Sequence, residues 1–322
     1  MLDRILTVRV AGITRQTPEI AAFEFVHPRG RALPGFSAGA HLDVHLPGGF
    51  MRQYSLAHAA PAGGDCDRYV IGVKREQASR GGSASLHERV NVGELLAISA
   101  PRNTFPIHTE AGSHLLLAGG IGLTPLLAMA QQLSRAGADF TLCVFARGPR
   151  HLAFAQALAD PALAPHLRLH FDAAERSEKI DLRTLLASHP PGRHMYLCGP
   201  EGFMRTARNA AAHWPDDAVH LEYFAPPAHE ADAGANEAFV LKLARRGITV
   251  QVGAEQSAIE ALHDLGIDVP TSCEQGICGT CVVGWLAGEP AHRDFCLSAT
   301  ERMGKIALCC SRADSAALVI DL

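Results

Sequence analysis

Short β-type runs recur through the first third of the chain, at Leu6–Val10, Ala22–Val26, His41–Leu46, Arg52–Ala57, Arg68–Lys74 and Glu94–Ser99. Turn signals at Pro34-Gly35, Pro47-Gly48-Gly49 and Pro61 with Gly63-Gly64 separate them. Closely spaced strands with little helical periodicity predict an antiparallel β-barrel or sandwich over residues 1–110. The pattern changes near residue 112. A continuous apolar run, His114–Ala118, leads through a Gly-rich turn into a helix-like stretch, Pro125–Ala136. Buried-type strands at Phe140–Phe145, Leu167–Phe171 and His194–Leu197 then alternate with helical segments at Leu152–Ala159 and Phe203–Ala212. That alternation predicts an α/β domain with a parallel sheet over residues 111–225. Residues 226–237 mix Pro, Gly, Ala and acidic residues without period and read as a linker. The last stretch, 238–322, opens with β-runs at Phe239–Leu243 and Thr249–Val252, then a short helical stretch near Ser257–Leu265 and a cysteine loop.

At 322 residues, 48% hydrophobic and 19% charged, the chain has apolar mass for several cores, which fits this multidomain division. Asp3, Arg4 and Arg9 interrupt the N-terminal apolar stretch, and no window reaches the ~20 apolar residues of a membrane span. A cytoplasmic protein is expected. Its nine cysteines are then better read as ligands, reactive thiols or core residues than as disulfides. Residues 236–322 carry seven Lys or Arg against eleven Asp or Glu, whereas 1–235 balance at 22 against 22. All of the formal charge of −4 thus lies at the C-terminal end, which argues against nucleic acid and allows a basic protein partner.

Cys273, Cys278 and Cys281 have the C-x4-C-x2-C spacing of plant-type ferredoxin clusters. Three thiolates from one tight loop need backbone that can wrap, and Gly276 and Gly279 supply it. Zinc sites more often use paired C-x2-C units, and only one such pair is present. For the fourth ligand, spacing leaves Cys296, Cys309 and Cys310 in competition. The segment resembles plant-type ferredoxin domains, α+β and β-grasp-like, whose last ligand lies nearly thirty residues after the third on a returning strand. That resemblance selects Cys309. If Ile306–Cys310 is a strand, Cys310 points to its opposite face as a small core residue.

Arg52-Gln53-Tyr54-Ser55 resembles the flavin motif of the ferredoxin-reductase superfamily. Period two puts Arg52 and Tyr54 on one strand face, where a guanidinium can pair with phosphate and an aromatic can cover the flavin ring; Ser55 can bond the ring edge. Arg80-Gly81-Gly82-Ser83 resembles the phosphate end of that site, and Val73 and Lys74 are candidates to line it. Gly119-Gly120-Ile121-Gly122-Leu123-Thr124-Pro125 departs from G-x-G-x-x-G. Even so, Gly120 and Gly122 permit a pyrophosphate to approach, Thr124 can cap, and Pro125 can open the helix. Cys198-Gly199-Pro200 resembles the superfamily's turn beside the nicotinamide, and Glu222-Tyr223-Phe224 the stretch that closes the nucleotide domain near the flavin.

The order of flavin, nucleotide and ferredoxin domains resembles the phthalate dioxygenase reductase family, which includes vanillate O-demethylase reductase subunits. The resemblance implies FMN rather than FAD, and NADH rather than NADPH, although Arg147 and Arg150 could meet a 2′-phosphate. It also implies hydride transfer near Ser55, Cys198 and Phe224, single-electron exit through a 2Fe-2S cluster, and a terminal oxygenase as acceptor. A stand-alone flavin reductase for small acceptors and a non-enzymatic redox-sensing module are the alternatives.

Overall fold

A computed structural model describes residues 5–61, 64–76, 81–173, 179–226 and 236–322. Arg80 and most of the expected linker, 227–235, lie outside the described residues. The chain forms two compact units, Met1–Glu222 and Tyr223–Leu322.

The first unit begins with six antiparallel strands, β1 (Ile5–Arg15), β2 (Ile20–Val26), β3 (His41–Leu46), β4 (Phe50–Ser55), β5 (Arg68–Lys74) and β6 (Leu95–Ser99), in the order β4-β3-β6-β1-β2-β5. A bridge between Leu56 and Ile71, with the Ala57 amide donating to the Val70 carbonyl at 2.8 Å, brings the two outer strands together into a nearly closed barrel. All six predicted strands are present. Alternate residues face inward, so Val8, Val10, Phe23, Phe25, Leu42, Val44, Ile71 and Ile98 fill the interior. Cys66 is buried there, its backbone pairing with Leu33 in both directions. Helix α1 (Gly82–Arg89) follows the Gly81-Gly82 turn and buries Leu86 against the barrel core.

Next comes the parallel sheet: β7 (Ser113–Gly119), α2 (Leu123–Arg135), β8 (Phe140–Ala146), α3 (Ala155–Leu158), β9 (Leu167–Phe171), α4 (Leu182–Leu185), β10 (Arg193–Cys198), α5 (Glu201–Ala210) and β11 (Val219–Glu222). The strand order is β11-β10-β7-β8-β9, all parallel. The helix expected over Leu152–Ala159 shrinks to the four residues of α3. Phe154 just before it is left-handed, with φ +55°, donates its amide to the Gln16 side chain at 3.1 Å and buries its ring. β11 carries only four half-buried residues, too short a run to announce itself. Barrel and sheet share one core, in which Ile20, Ala22, Ala38 and Ala57 pack with Leu116, Ala118, Leu126 and Met129.

The second unit has a five-stranded mixed sheet in the order β13-β12-β18-β14-β16, from β12 (Phe239–Leu243), β13 (Ile248–Val252), β14 (Val282–Ala287), β16 (Lys305–Ala307) and β18 (Ala317–Ile320). A short ladder joins β15 (Pro290–Ala291) to β17 (Arg312–Ala313). Helix α6 (Ala258–Asp264) packs on the sheet through Ile259 and Leu262. Ser257 and Glu260 form its capping box, and Gly266 and Ile267 close its C-terminus by donating to His263 and Leu262. The last helix, α7 (Ala299–Arg302), has a second capping box from Ser298 and Glu301.

Candidate functional site

The sheet of the first unit turns around at β7: the chain goes outward to β8 and β9, then returns on the other side to β10 and β11. In open α/β sheets such a switch point leaves a crevice beyond the carboxyl ends of the strands. Two loops meet there. A Cβ at Gly122 would stand 2.2 Å from the Cys198 carbonyl oxygen, and one at Gly199 would stand 3.0 Å from the Gly119 Cα. Any side chain would push these turns apart, which explains why glycine occupies both positions. No side chain among the described residues caps α2 or α5 there, while the Leu123 amide at the start of α2 already donates to the Gly120 and Ile121 carbonyls.

Thr124 does not cap α2. Its hydroxyl donates to the Ile121 carbonyl at 3.1 Å, and its methyl abuts Gly72 of β5, so it joins sheet to barrel. Pro125 is the third residue of α2, behind a single 3-10 turn at Gly120–Gly122, rather than the first.

Register places Cys198 directly opposite Glu222 at the ends of β10 and β11. Ser55, at the end of β4, donates its hydroxyl to the Glu222 carboxylate at 3.0 Å. Ser55 and Cys198 therefore gather around one half-buried glutamate. Burial pushes the Glu222 carboxyl up to about 8, only partly offset by the Ser55 hydrogen bond, and burial followed by the Glu222 charge raises the Cys198 thiol well above its ordinary value. Near neutral pH both groups are uncharged. Glu222 is a site residue that no sequence signal singles out. It lies within the Glu-Tyr-Phe stretch, but nothing local marks that carboxylate for burial. Phe224, 46% exposed, falls in the second unit.

On the barrel, Arg52 and Tyr54 share the face expected of them. Burial pushes the Tyr54 hydroxyl up to about 12 despite the Arg52 charge. A Cβ at Gly82 would lie 2.6 Å from the Arg52 side chain, and Gly81 packs against the Phe50 ring. The start of α1, carrying Ser83, thus stands beside a guanidinium, which suits a phosphate. Ser83 accepts the Glu76 amide at 3.2 Å. Two of the expected lining residues are otherwise engaged. Val73 is buried in the barrel core, and Lys74 pairs with Glu76 at 2.9 Å. Arg147 reaches Glu19 between β1 and β2 at 2.7 Å.

In the second unit the cysteine loop wraps as its spacing predicts. The Gln275 and Cys278 amides donate to the Cys273 sulfur at 3.4 Å each, Thr280 to Cys278 at 3.4 Å, and Gly276 to Cys309 at 3.2 Å. Cys309 thus lies with the cysteine loop, but not on a strand. β16 ends at Ala307 and residues 308–310 form a turn, so the opposite-face argument against Cys310 does not apply. Cys310 instead lies against Gly276, where a Cβ would stand 2.6 Å from its sulfur. The Cys278 thiol also donates to the Thr280 hydroxyl at 3.2 Å. Among the described residues no three His, Cys, Asp or Glu groups converge on one ion-sized point. Four cysteines, three of them in one loop and three with sulfurs that accept backbone amides, fit a dinuclear cluster, in which each iron takes two cysteines.

Comparison with known proteins agrees. A family described as "2Fe-2S iron-sulfur cluster binding domain" matches residues 241–314, and one described as "Dimethylamine monooxygenase subunit DmmA-like, N-terminal domain" matches 99–219. The vanillate O-demethylase oxidoreductase of Pseudomonas sp. (strain HR199 / DSM 7063) is 43% identical over 99% of this chain and 100% of its own length. The solved phthalate dioxygenase reductase, whose structure is titled as modular for electron transfer from pyridine nucleotides to [2Fe-2S], is 38% identical with a TM-score of 0.71, covering 99% of this chain and 98% of that one. The chain belongs to the phthalate dioxygenase reductase family. Another relative, the tert-butanol monooxygenase / tert-amyl alcohol desaturase reductase subunit of Aquincola tertiaricarbonis, is 43% identical over 98% of this chain and 96% of its own length. Among the described residues no helix is long and apolar enough to cross a membrane.

Proposed function

We propose that this chain is the NADH-dependent reductase component of a two-component, Rieske-type aromatic oxygenase or O-demethylase, passing electrons from NADH through FMN and a 2Fe-2S cluster to the oxygenase. The observation that carries this reading is one chain holding both Ser55, Cys198 and Glu222 together at the strand ends and a cysteine loop in which backbone amides donate to the sulfurs of Cys273, Cys278 and Cys309. Its relatives are named as reductases of vanillate, phthalate and tert-butanol oxygenases. The oxygenase, not this chain, would select the substrate. We further infer three functional domains, 1–110, 111–225 and 238–322, and a cytoplasmic location.

When bound, a flavin here would supply hydride acceptance from reduced nicotinamide, and a cluster single-electron exit. The protein's part is placement. Arg52, Gly81, Gly82, Ser83 and the start of α1 would hold the FMN phosphate, with Tyr54 and Ser55 along the ring and Lys74 at its margin. Gly120, Gly122, Gly199 and Pro200 would admit the NADH pyrophosphate and nicotinamide between α2 and α5. Thr124 and Pro125 support that loop. The Ser55 hydroxyl, backed by a neutral Glu222 carboxyl, can hold or return a proton at the ring edge. The Cys198 thiol stays protonated and excludes water without adding charge. Cys273, Cys278, Cys281 and Cys309 would ligate the irons.

The test is steady-state NADH oxidation with cytochrome c, with free flavin, and with a Rieske oxygenase as acceptors. Rapid cytochrome c reduction that requires the cluster, together with oxygenase turnover, is expected. Reduction of free flavin alone would indicate a stand-alone flavin reductase, and no NADH turnover a redox-sensing module; either would refute the proposal.

A further inference from the structure

Behind the cysteine loop, in the second unit, lies a charged group that no ligand assignment uses. Asp294 is 1% exposed and its carboxylate is fully enclosed. One oxygen accepts the Leu297 amide at 2.9 Å and lies 3.5 Å from the Arg302 guanidinium and 3.9 Å from the Cys296 sulfur; the other meets His292 at 3.3 Å. Arg302 also donates to the Asp294 carbonyl. A buried carboxylate with these partners is costly unless its geometry is kept, so it fixes the turn over 294–297 firmly.

That turn is pressed against the cluster loop. The Phe295 amide donates to the Gly276 carbonyl at 2.8 Å, and a Cβ at Gly276 would stand 3.0 Å from the Asp294 Cα. Gly276, left-handed with φ +72°, is also the residue whose amide donates to the Cys309 sulfur. Any shift of the Asp294 turn therefore reaches an amide aimed at a candidate ligand. The charge acts as well. A cluster gains negative charge on reduction, so a nearby buried carboxylate disfavours the reduced state, and the half-buried Arg302 cation favours it.

We propose that Asp294 is a positioning residue that holds the Gly276 amide on Cys309, and that the Asp294–Arg302 pair sets the reduction potential of the cluster through opposed charges. This inference rests on the four-cysteine cluster assignment. That assignment is checked first, by iron and acid-labile sulfide in the wild-type protein, so its failure is distinguishable from failure of the inference. The experiment is an EPR-monitored potentiometric titration of the full chain carrying Asp294→Asn, which keeps an acceptor for the Leu297 amide, and separately Arg302→Gln. The expected result is a higher midpoint potential for Asp294→Asn and a lower one for Arg302→Gln, each equivalent to at least a roughly threefold change in the cluster's reduction equilibrium. Loss of packing alone would not move the two in opposite directions. Unchanged potentials, or shifts of the same sign, would overturn the proposal. If Asp294→Asn does not retain the cluster, Arg302→Gln decides alone: a fall supports the proposal and no change refutes it.

Discussion

The two candidate centres are built in opposite ways. The cluster loop draws three of its four thiols from nine consecutive residues, 273–281, and its ring of amides comes largely from the same loop. The hydride site has no local unit. Ser55 and Glu222 are separated by 167 positions and come from different sheets, and Gly122 meets Cys198 only because β7 and β10 are neighbours. Chain-local chemistry survives as long as its loop folds, whereas an assembled site depends on the packing of everything between its parts.

The sharpest way to break the comparison is to attack the local site locally. Cys278→Ala should abolish nearly all iron and sulfide while leaving flavin content and NADH-to-flavin reduction intact, because the damage stays in one loop. Metal analysis and anaerobic flavin bleaching check this, and loss of flavin reduction would mean that the centres are not separable. Next in size, Gly122→Ala forces a methyl to within 2.2 Å of the Cys198 carbonyl. The two loops must part by a large fraction of an ångström, so kcat/KM for NADH should fall about 100-fold. Iron content should stay unchanged, and wild-type kinetics would contradict the close approach.

Glu222→Gln should slow flavin reduction about tenfold or more and remove an inflection near pH 8 from the pH profile. Stability should respond too. Burial raises the folded-state pKa of Glu222 above its unfolded value, so its contribution is complete below the ordinary carboxylate range and is lost as pH rises towards about 8. Melting temperatures of the wild type should therefore decline across that window more than those of Glu222→Gln, and parallel curves would contradict the buried neutral acid. The smallest effect is expected from Arg147→Ala. The Arg147–Glu19 pair is 60% and 35% exposed, so its loss should cost at most about 1 kcal/mol by denaturant titration and leave the preference for NADH over NADPH unchanged. A swing in that preference would restore Arg147 to the nucleotide site.

The same contrast explains which features are legible in the sequence. All six barrel strands follow from alternation and turn residues, and Cys273, Cys278 and Cys281 from spacing alone. Elements stabilised from elsewhere are harder to read. Phe154 delays the start of a helix because Gln16 and Gly72, far away in sequence, hold it. β11 forms because β10 pairs with it, not because its four residues favour a strand. Thr124 looks like a cap and serves as a packing group, and Glu222 looks like an ordinary carboxylate until Ser55 covers it. Cys309 needs the resemblance to ferredoxins, since spacing leaves three thiols open and the turn at 308–310 removes any strand-face argument.

The central claim is that electrons from NADH cross this chain to a cysteine-held cluster. Anaerobic addition of NADH to the purified protein, followed by low-temperature EPR and metal analysis of the same sample, tests it directly. The account predicts about two irons and two acid-labile sulfides per chain, with a rhombic signal of a reduced 2Fe-2S centre appearing as the flavin is reduced. Flavin that bleaches with NADH in a protein free of iron and sulfide would contradict it.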